Sequence, residues 1–171
     1  MPFQVDDFLI RREQNLPGVA TILNPGLLLK RLHTELPEAG VAHLLPFYIR
    51  YKPGMNCIAG YRLVTSEKEV DIYAKAHGPD AAIKIRNAES PKVVPGPLGV
   101  GRIILKDIAV TLSFFPNDFK LSRLRRLNTP ESRRRLLQRL GTNLDDSAEV
   151  LFKTLAYKPE RRYVALVHPH G

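Results

Sequence analysis

Cysteine is nearly absent: Cys57 is the single one in 171 residues. The chain therefore cannot close a disulfide on itself, and it cannot build a multi-cysteine metal site. Long apolar runs are also missing, since no stretch approaches the roughly 20 residues that cross a bilayer. The opening segment "MPFQVDDFLIRR" places Asp6 and Asp7 ahead of a short apolar stretch. A secretory leader needs basic residues first and a longer apolar stretch after them. These absences set the expectation of a cytoplasmic protein that does not engage a membrane. The five histidines (His33, His43, His77, His168 and His170) never fall in an i, i+4 pair that one helix face could offer to a metal. His168 and His170, two apart in "HPHG", are either a metal contact or a frayed end. No Gly-x-Ser-x-Gly nucleophile motif occurs, and the adjacent acids Asp6-Asp7 and Asp145-Asp146 read as turn or cap residues.

Acidic residues are scarce: 17 Asp and Glu stand against 26 Lys and Arg, a formal charge of +9. Seven arginines fall between Arg123 and Arg139, so the excess is concentrated in one segment. Such a balance permits nucleic-acid or anionic-ligand binding without demanding it. Hydrophobic residues make up 44 %, enough for the core of one domain, or of one domain and a fragment of another.

The chain reads as an α+β fold, an antiparallel meander sheet with packed helices. In "NPGLLLKRLHTELPEAG", Asn24 caps a helix, Pro25 takes its first position and Pro37 stops it. Leu28, Leu29, Leu32 and Leu36 form its apolar stripe. Residues 46–52, 57–64 and 70–76 predict three strands. In the third, Val70, Ile72, Ala74 and Ala76 alternate with Asp71, Tyr73 and Lys75, so one face is buried and the other faces solvent. "GPDAAIKIRNAES" predicts a short helix opened by Pro79 and Asp80, and "PKVVPGPLGVG" a loop. "RIILKDIAVTLSFFP" supplies one bent strand or two short ones. Two helical pieces follow, broken at Asn128-Thr129-Pro130, with Gly141 closing the second. Strand patterning then returns.

"YKPGMNCIAGYRL" (51–63) and "YKPERRYVALVHP" (157–169) share an opening Tyr-Lys-Pro and an alternating apolar run after the same gap. "SFFPNDFKLSRLRRL" followed by "LAYKPERRYVALV" resembles the N-terminal region of bacterial aminoglycoside-phosphotransferase-like and maltokinase-like small-molecule kinases. The matching elements are Phe115-Pro116-Asn117-Asp118, the leucine-rich 121–127, and the Tyr-x-Pro-x-x-Arg pattern of 157–162. The resemblance covers about two thirds of the chain, residues 46–167. It implies a cap-like domain over 1–150, and the first strand of a truncated kinase-like N-lobe over 151–171. No His-x-Asp-x-x-x-x-Asn-like catalytic loop and no later magnesium-holding Asp is found. The resemblance thus implies the non-catalytic N-terminal portion of an ATP-dependent phosphotransferase. ATP and Mg would serve the complete enzyme, and a small-molecule phosphoryl acceptor would be met by the missing part. The alternative is a stand-alone basic α+β module that binds nucleic acid or another anionic partner.

Kinase-like folds carry a phosphate-pairing lysine on the third strand, and Lys75 stands at that place with Glu89 as the obvious partner. The alternation offers a second reading, a solvated lysine beside Asp71 and Tyr73, and no Gly-rich phosphate loop precedes it. On a helix over 130–140, Leu136, Leu137 and Leu140 form the buried stripe, while Arg133, Arg134, Arg135 and Arg139 make a basic face. That face either tracks phosphates or is simply solvated, and it lacks aromatic residues for base stacking. Cys57 reads as a small core residue. In "FFPND", Pro116 stops a strand, Asp118 caps the next helix, and Phe114 and Phe115 point to opposite faces.

Overall fold

A computed structural model describes residues 10–11, 13–89, 92–139, 141 and 149–170. Two helices lead, α1 (Val19–Leu23) and α2 (Pro25–Glu35). Asn24 opens α2 as its side-chain oxygen accepts from the amides of Gly26 and Leu27 at 3.0 and 3.1 Å. The meander follows as β1 (His43–Lys52), β2 (Asn56–Val64) and β3 (Glu69–His77), then α3 (Ala81–Ala88). Two short strands come next, β4 (Arg102–Leu105) and β5 (Val110–Phe114). A 3-10 segment (Ser122–Leu127) and helix α4 (Pro130–Arg139) precede β6 (Glu149–Lys158) and β7 (Arg162–His170). The fold is α+β. Its main sheet has five antiparallel strands in the order β1-β2-β3-β5-β4, and β6 and β7 form a separate two-stranded sheet.

The period-two pattern of the strands sorts the main sheet into two faces. Cys57, Ala59, Tyr61 and Leu63 of β2, Val70, Ile72, Ala74 and Ala76 of β3, and Val110, Leu112 and Phe114 of β5 point one way. They meet Ile22, Leu28 and Leu32 of the leading helices in the principal core. Leu29 and Leu36 pack at its margin, so all four members of the leucine stripe contribute. The hydroxyl of buried Tyr61 donates to the Ile22 carbonyl at 2.6 Å and ties α1 to β2. Cys57 is a buried free thiol, pushed up to about 12 by burial and by the Glu13 carboxylate, which leaves it no nucleophilic character.

The opposite face differs from its expected exposure. Tyr73 and Ile58 on that face are buried, and they pack with Tyr157 of β6 in a second cluster flanked by Tyr48, Phe115, Leu121, Leu124 and Tyr163. Phe115 meets Tyr157 edge-on at 5.7 Å between ring centroids. The physical reason is coverage: the β6–β7 hairpin, the 3-10 segment and α3 lie over this face. Phe114 and Phe115 do point apart, one into each core.

The C-terminal strand pattern also resolves differently. Residues 157–167 are not one strand. Tyr157 and Lys158 end β6, residues 159–161 turn, and β7 begins at Arg162. The expected domain boundary at 150/151 falls just inside β6. The segment "RIILKDIAVTLSFFP" forms two strands of a hairpin and not one bent strand. Leu140, Asp6, Asp7, Asp145 and Asp146 lie outside the described residues.

Truncating a stripe leucine tests which face carries the principal core. Leu32→Ala is expected to lower stability by about 2–5 kcal/mol in a denaturant melt, because its cavity cannot relax away. Leu45→Ala, on an exposed stretch of β1, is expected to stay within about 0.5 kcal/mol.

Candidate functional site

The two Tyr-Lys-Pro copies fold alike. The second copy lies 106 residues after the first, and the same offset carries β1 onto β6 and β2 onto β7 residue for residue. Each hairpin has a register shift in its first strand. Each turn closes the same way: Met55 N–H donates to the Lys52 carbonyl, and Arg161 N–H to that of Lys158, both at 3.0 Å. The fourth residue of both Tyr-Lys-Pro copies is left-handed, Gly54 at φ 63° and Glu160 at φ 58°. In both, that residue's amide donates to a distant carboxylate, Gly54 to Glu13 at 3.0 Å and Glu160 to Asp118 at 2.8 Å.

Glycine adopts such a backbone freely, whereas a glutamate there is strained by on the order of 1–3 kcal/mol. Its side chain explains why it is tolerated. Glu160 is 5 % exposed, and its carboxylate meets Lys75 Nζ at 2.7 Å and Arg50 Nη2 at 3.0 Å. Lys120 Nζ stands at 4.0 Å from the same carboxylate. Asp118 sits beside it, equally sequestered and fully partnered. One oxygen accepts from the amides of Lys120 and Leu121 at 2.9 and 2.7 Å, a turn just ahead of the 3-10 segment and not the helix cap expected of Asp118, because that segment begins only at Ser122. The other accepts from the Tyr157 hydroxyl and the Glu160 amide, both at 2.8 Å. Burial and the neighbouring Asp118 charge hold the Tyr157 hydroxyl protonated, as a hydrogen-bond donor.

Lys75 is therefore neither solvated nor joined to Glu89. Its side chain is 14 % exposed, bound to Glu160 and set 5.7 Å from the centroid of the Phe119 ring. Glu89 pairs with Lys106 at 2.8 Å instead, near the end of α3.

Next to this ion pair lies a cavity of about 140 Å³ between α3 and strands β3 and β5. Lys75, His77, Lys84, Arg102, Thr111, Ser113 and Glu160 line it, together with Tyr73 and Phe119. The residues on β3 and β5 alternate with the core positions: Tyr73, Lys75 and His77 on one, Thr111 and Ser113 on the other. Arg102 Nε donates to Ser113 Oγ at 3.3 Å, and Nη1 donates to the Ala88 carbonyl at 2.6 Å. Burial lowers the Arg102 pKa, yet a guanidinium keeps its proton. His77 is 5 % exposed; its Nε2 lies 3.0 Å from Thr111 Oγ1, and its Nδ1 is buried without a hydrogen-bond partner. Burial first, then the Lys75 and Lys84 charges, lower His77 to about 4.

The arginine helix divides by exposure. Arg133 turns inward, its Nε donating to the Leu127 carbonyl at 3.0 Å and its Nη1 to that of Val150 at 3.4 Å. Arg134 is half-buried, while Arg135 and Arg139 are exposed and line a shallow depression with Arg126. Among the described residues, no group of three or more His, Cys, Asp or Glu is placed to hold a metal ion. No helix among them is long and apolar enough to cross a membrane.

Sequence reasoning found Lys75 and gave Asp118 a capping role, but it missed Glu160, Arg50, His77 and Arg102. One signal was available. Aligning the two Tyr-Lys-Pro copies sets Glu160 on Gly54, and a glutamate where the twin turn uses glycine marks a side chain with work to do.

Two measurements probe this arrangement. Glu160→Ala strands Lys75 and Arg50, and is expected to cost about 3–5 kcal/mol in a denaturant melt. Glu160→Gly removes the same charge but relieves the backbone, so it should be more stable than the alanine variant by about 1 kcal/mol. The second measurement is stability against pH. His77 binds its proton less readily folded than unfolded, so its contribution is present above about pH 6.5 and is lost as pH falls towards about 4. His77→Gln is expected to flatten that acid limb by about 2–3 kcal/mol relative to the parent chain. Compared with known proteins, the chain matches no family model, no curated protein and no solved structure.

Proposed function

We propose that this chain is the non-catalytic N-terminal portion of an ATP-dependent small-molecule phosphotransferase, with β6–β7 as the opening hairpin of the nucleotide-binding sheet. The observation that carries the reading is the hairpin repeat. The first copy, β1–β2, is completed by β3, α3, β5 and β4 into a five-stranded unit. The second copy has the same strand lengths, the same turn and the same left-handed fourth position. It is also the copy that carries the Tyr-x-Pro-x-x-Arg pattern of the resembled kinases.

The first unit acts in this reading as a scaffold. Lys75 occupies the third strand, where a kinase-like sheet would offer a lysine to phosphates. Here its ammonium is committed to Glu160, a residue of the second hairpin. The ion pair that would help to hold a nucleotide instead docks the two units together. Transfer chemistry needs metal-held charge and a positioned acceptor. Those parts, and the ATP, Mg and phosphoryl acceptor they serve, belong to the complete enzyme.

The purified 171-residue chain, given ATP and Mg with a panel of small hydroxylated acceptors, is expected to transfer no phosphoryl group and to hydrolyse no ATP above buffer. Measurable turnover sinks the proposal. Reading the nucleotide sequence beyond the Gly171 codon gives the converse test: a continuing frame with a catalytic Asp and Asn supports it, and a stop codon removes it. Within such a longer protein, Lys75→Ala is expected to leave ATP affinity unchanged.

A further inference from the structure

The cavity beside the Glu160 ion pair carries more than a scaffold requires. At about 140 Å³ it has room for more than a single water. Three cationic side chains line it, Lys75, Lys84 and Arg102. The one carboxylate in its lining, Glu160, is already paired with Lys75 and Arg50. That leaves Lys84 and Arg102 as an excess of positive charge on one side of the space. The acid near Lys84, Asp80, lies at 3.5 Å and is largely exposed. Two hydroxyls, Thr111 and Ser113, stand on the adjacent strand. His77 lines the space as well, with its Nε2 3.0 Å from Thr111 Oγ1.

We propose that this pocket binds a small tetrahedral oxyanion, free phosphate or the phosphate of a phosphomonoester, held by Lys84, Arg102 and Ser113. The chemistry follows from the donor set. A guanidinium and an ammonium supply charge-assisted donors, and the Ser113 hydroxyl can donate to a further anion oxygen. Lys75 is not a ligand: it belongs to Glu160 and forms the wall between pocket and hairpin. No metal is needed, since the positive charge is supplied by side chains. The inference concerns this chain alone and stands whether or not the chain belongs to a phosphotransferase.

Isothermal titration of the full chain with inorganic phosphate, at ionic strength matched with chloride, tests the proposal. Saturable binding is expected, accompanied by a shift of the His77 Nδ1 resonance in ¹⁵N NMR. Lys84→Met, a change at a partly exposed position, is expected to weaken binding at least tenfold, as is Arg102→Met if that variant folds. The surface pair Arg135→Ser with Arg139→Ser should leave affinity unchanged. Competition by phosphoethanolamine would assign the site to a phosphomonoester, and phosphate binding without such competition would assign it to the free ion. The proposal is overturned if phosphate gives no saturable binding beyond chloride. It is equally overturned if binding survives Lys84→Met undiminished, is lost with the surface pair, or leaves the His77 resonance unmoved.

Discussion

A single buried carboxylate, that of Asp118, accepts four hydrogen bonds, and most of the outer half of the molecule is organised around them. Two of the donors are amides just ahead of the 3-10 segment, and two come from the tip of the second hairpin, Tyr157 and Glu160. An isolated two-stranded hairpin is marginal in water. This one becomes ordered because its tip is bonded to Asp118 and its Tyr157 ring is buried against Ile58 and Tyr73. Sequestering carboxylates is costly, and a fully satisfied donor shell is what makes it tolerable.

The Glu160 pairs depend on that anchorage. A buried ion pair contributes little net stability once desolvation is counted, but breaking one side of it is expensive. Its effect is therefore directional. With the amide of Glu160 fixed by Asp118, its carboxylate can reach Arg50 of β1 and Lys75 of β3 in one register only. The hairpin is thereby oriented on the sheet as well as attached to it. The left-handed backbone at Glu160 is the strain that accompanies this placement, and Gly54 in the twin turn shows the relaxed version of the same geometry.

Committing Lys75 inward has an electrostatic consequence. The outer face of β3 and β5 keeps Lys84 and Arg102 beside a small space, with Glu160 already matched by other cations. His77 remains neutral there because it is buried and because the neighbouring charges are positive. The arginine helix, by contrast, is mostly solvated or turned inward. Positive charge that is scattered in sequence is thus gathered in the pocket as well as in the arginine-rich segment, where it is easiest to see.

Local patterns in the chain settle the α+β class, the capped leading helix, the three-stranded meander and the inward set of β3, because capping and period-two alternation act between residues close in sequence. The fate of the other face lay beyond them. Alternation says which side chains share a face but not whether something 80 residues away covers it, and so Lys75 looked solvated. The hairpin at 149–170 was legible as a strand pattern and as a repeat of Tyr-Lys-Pro, yet its turn at 159–161 was not. A glutamate with left-handed backbone becomes intelligible only once Arg50, Lys75 and Asp118 are brought around it. Sequence by itself therefore determined the α+β class and most of the local elements. Tertiary structure alone decided which charges meet, because Coulomb and hydrogen-bond partners are set by distance in space and carry no fixed spacing along the chain.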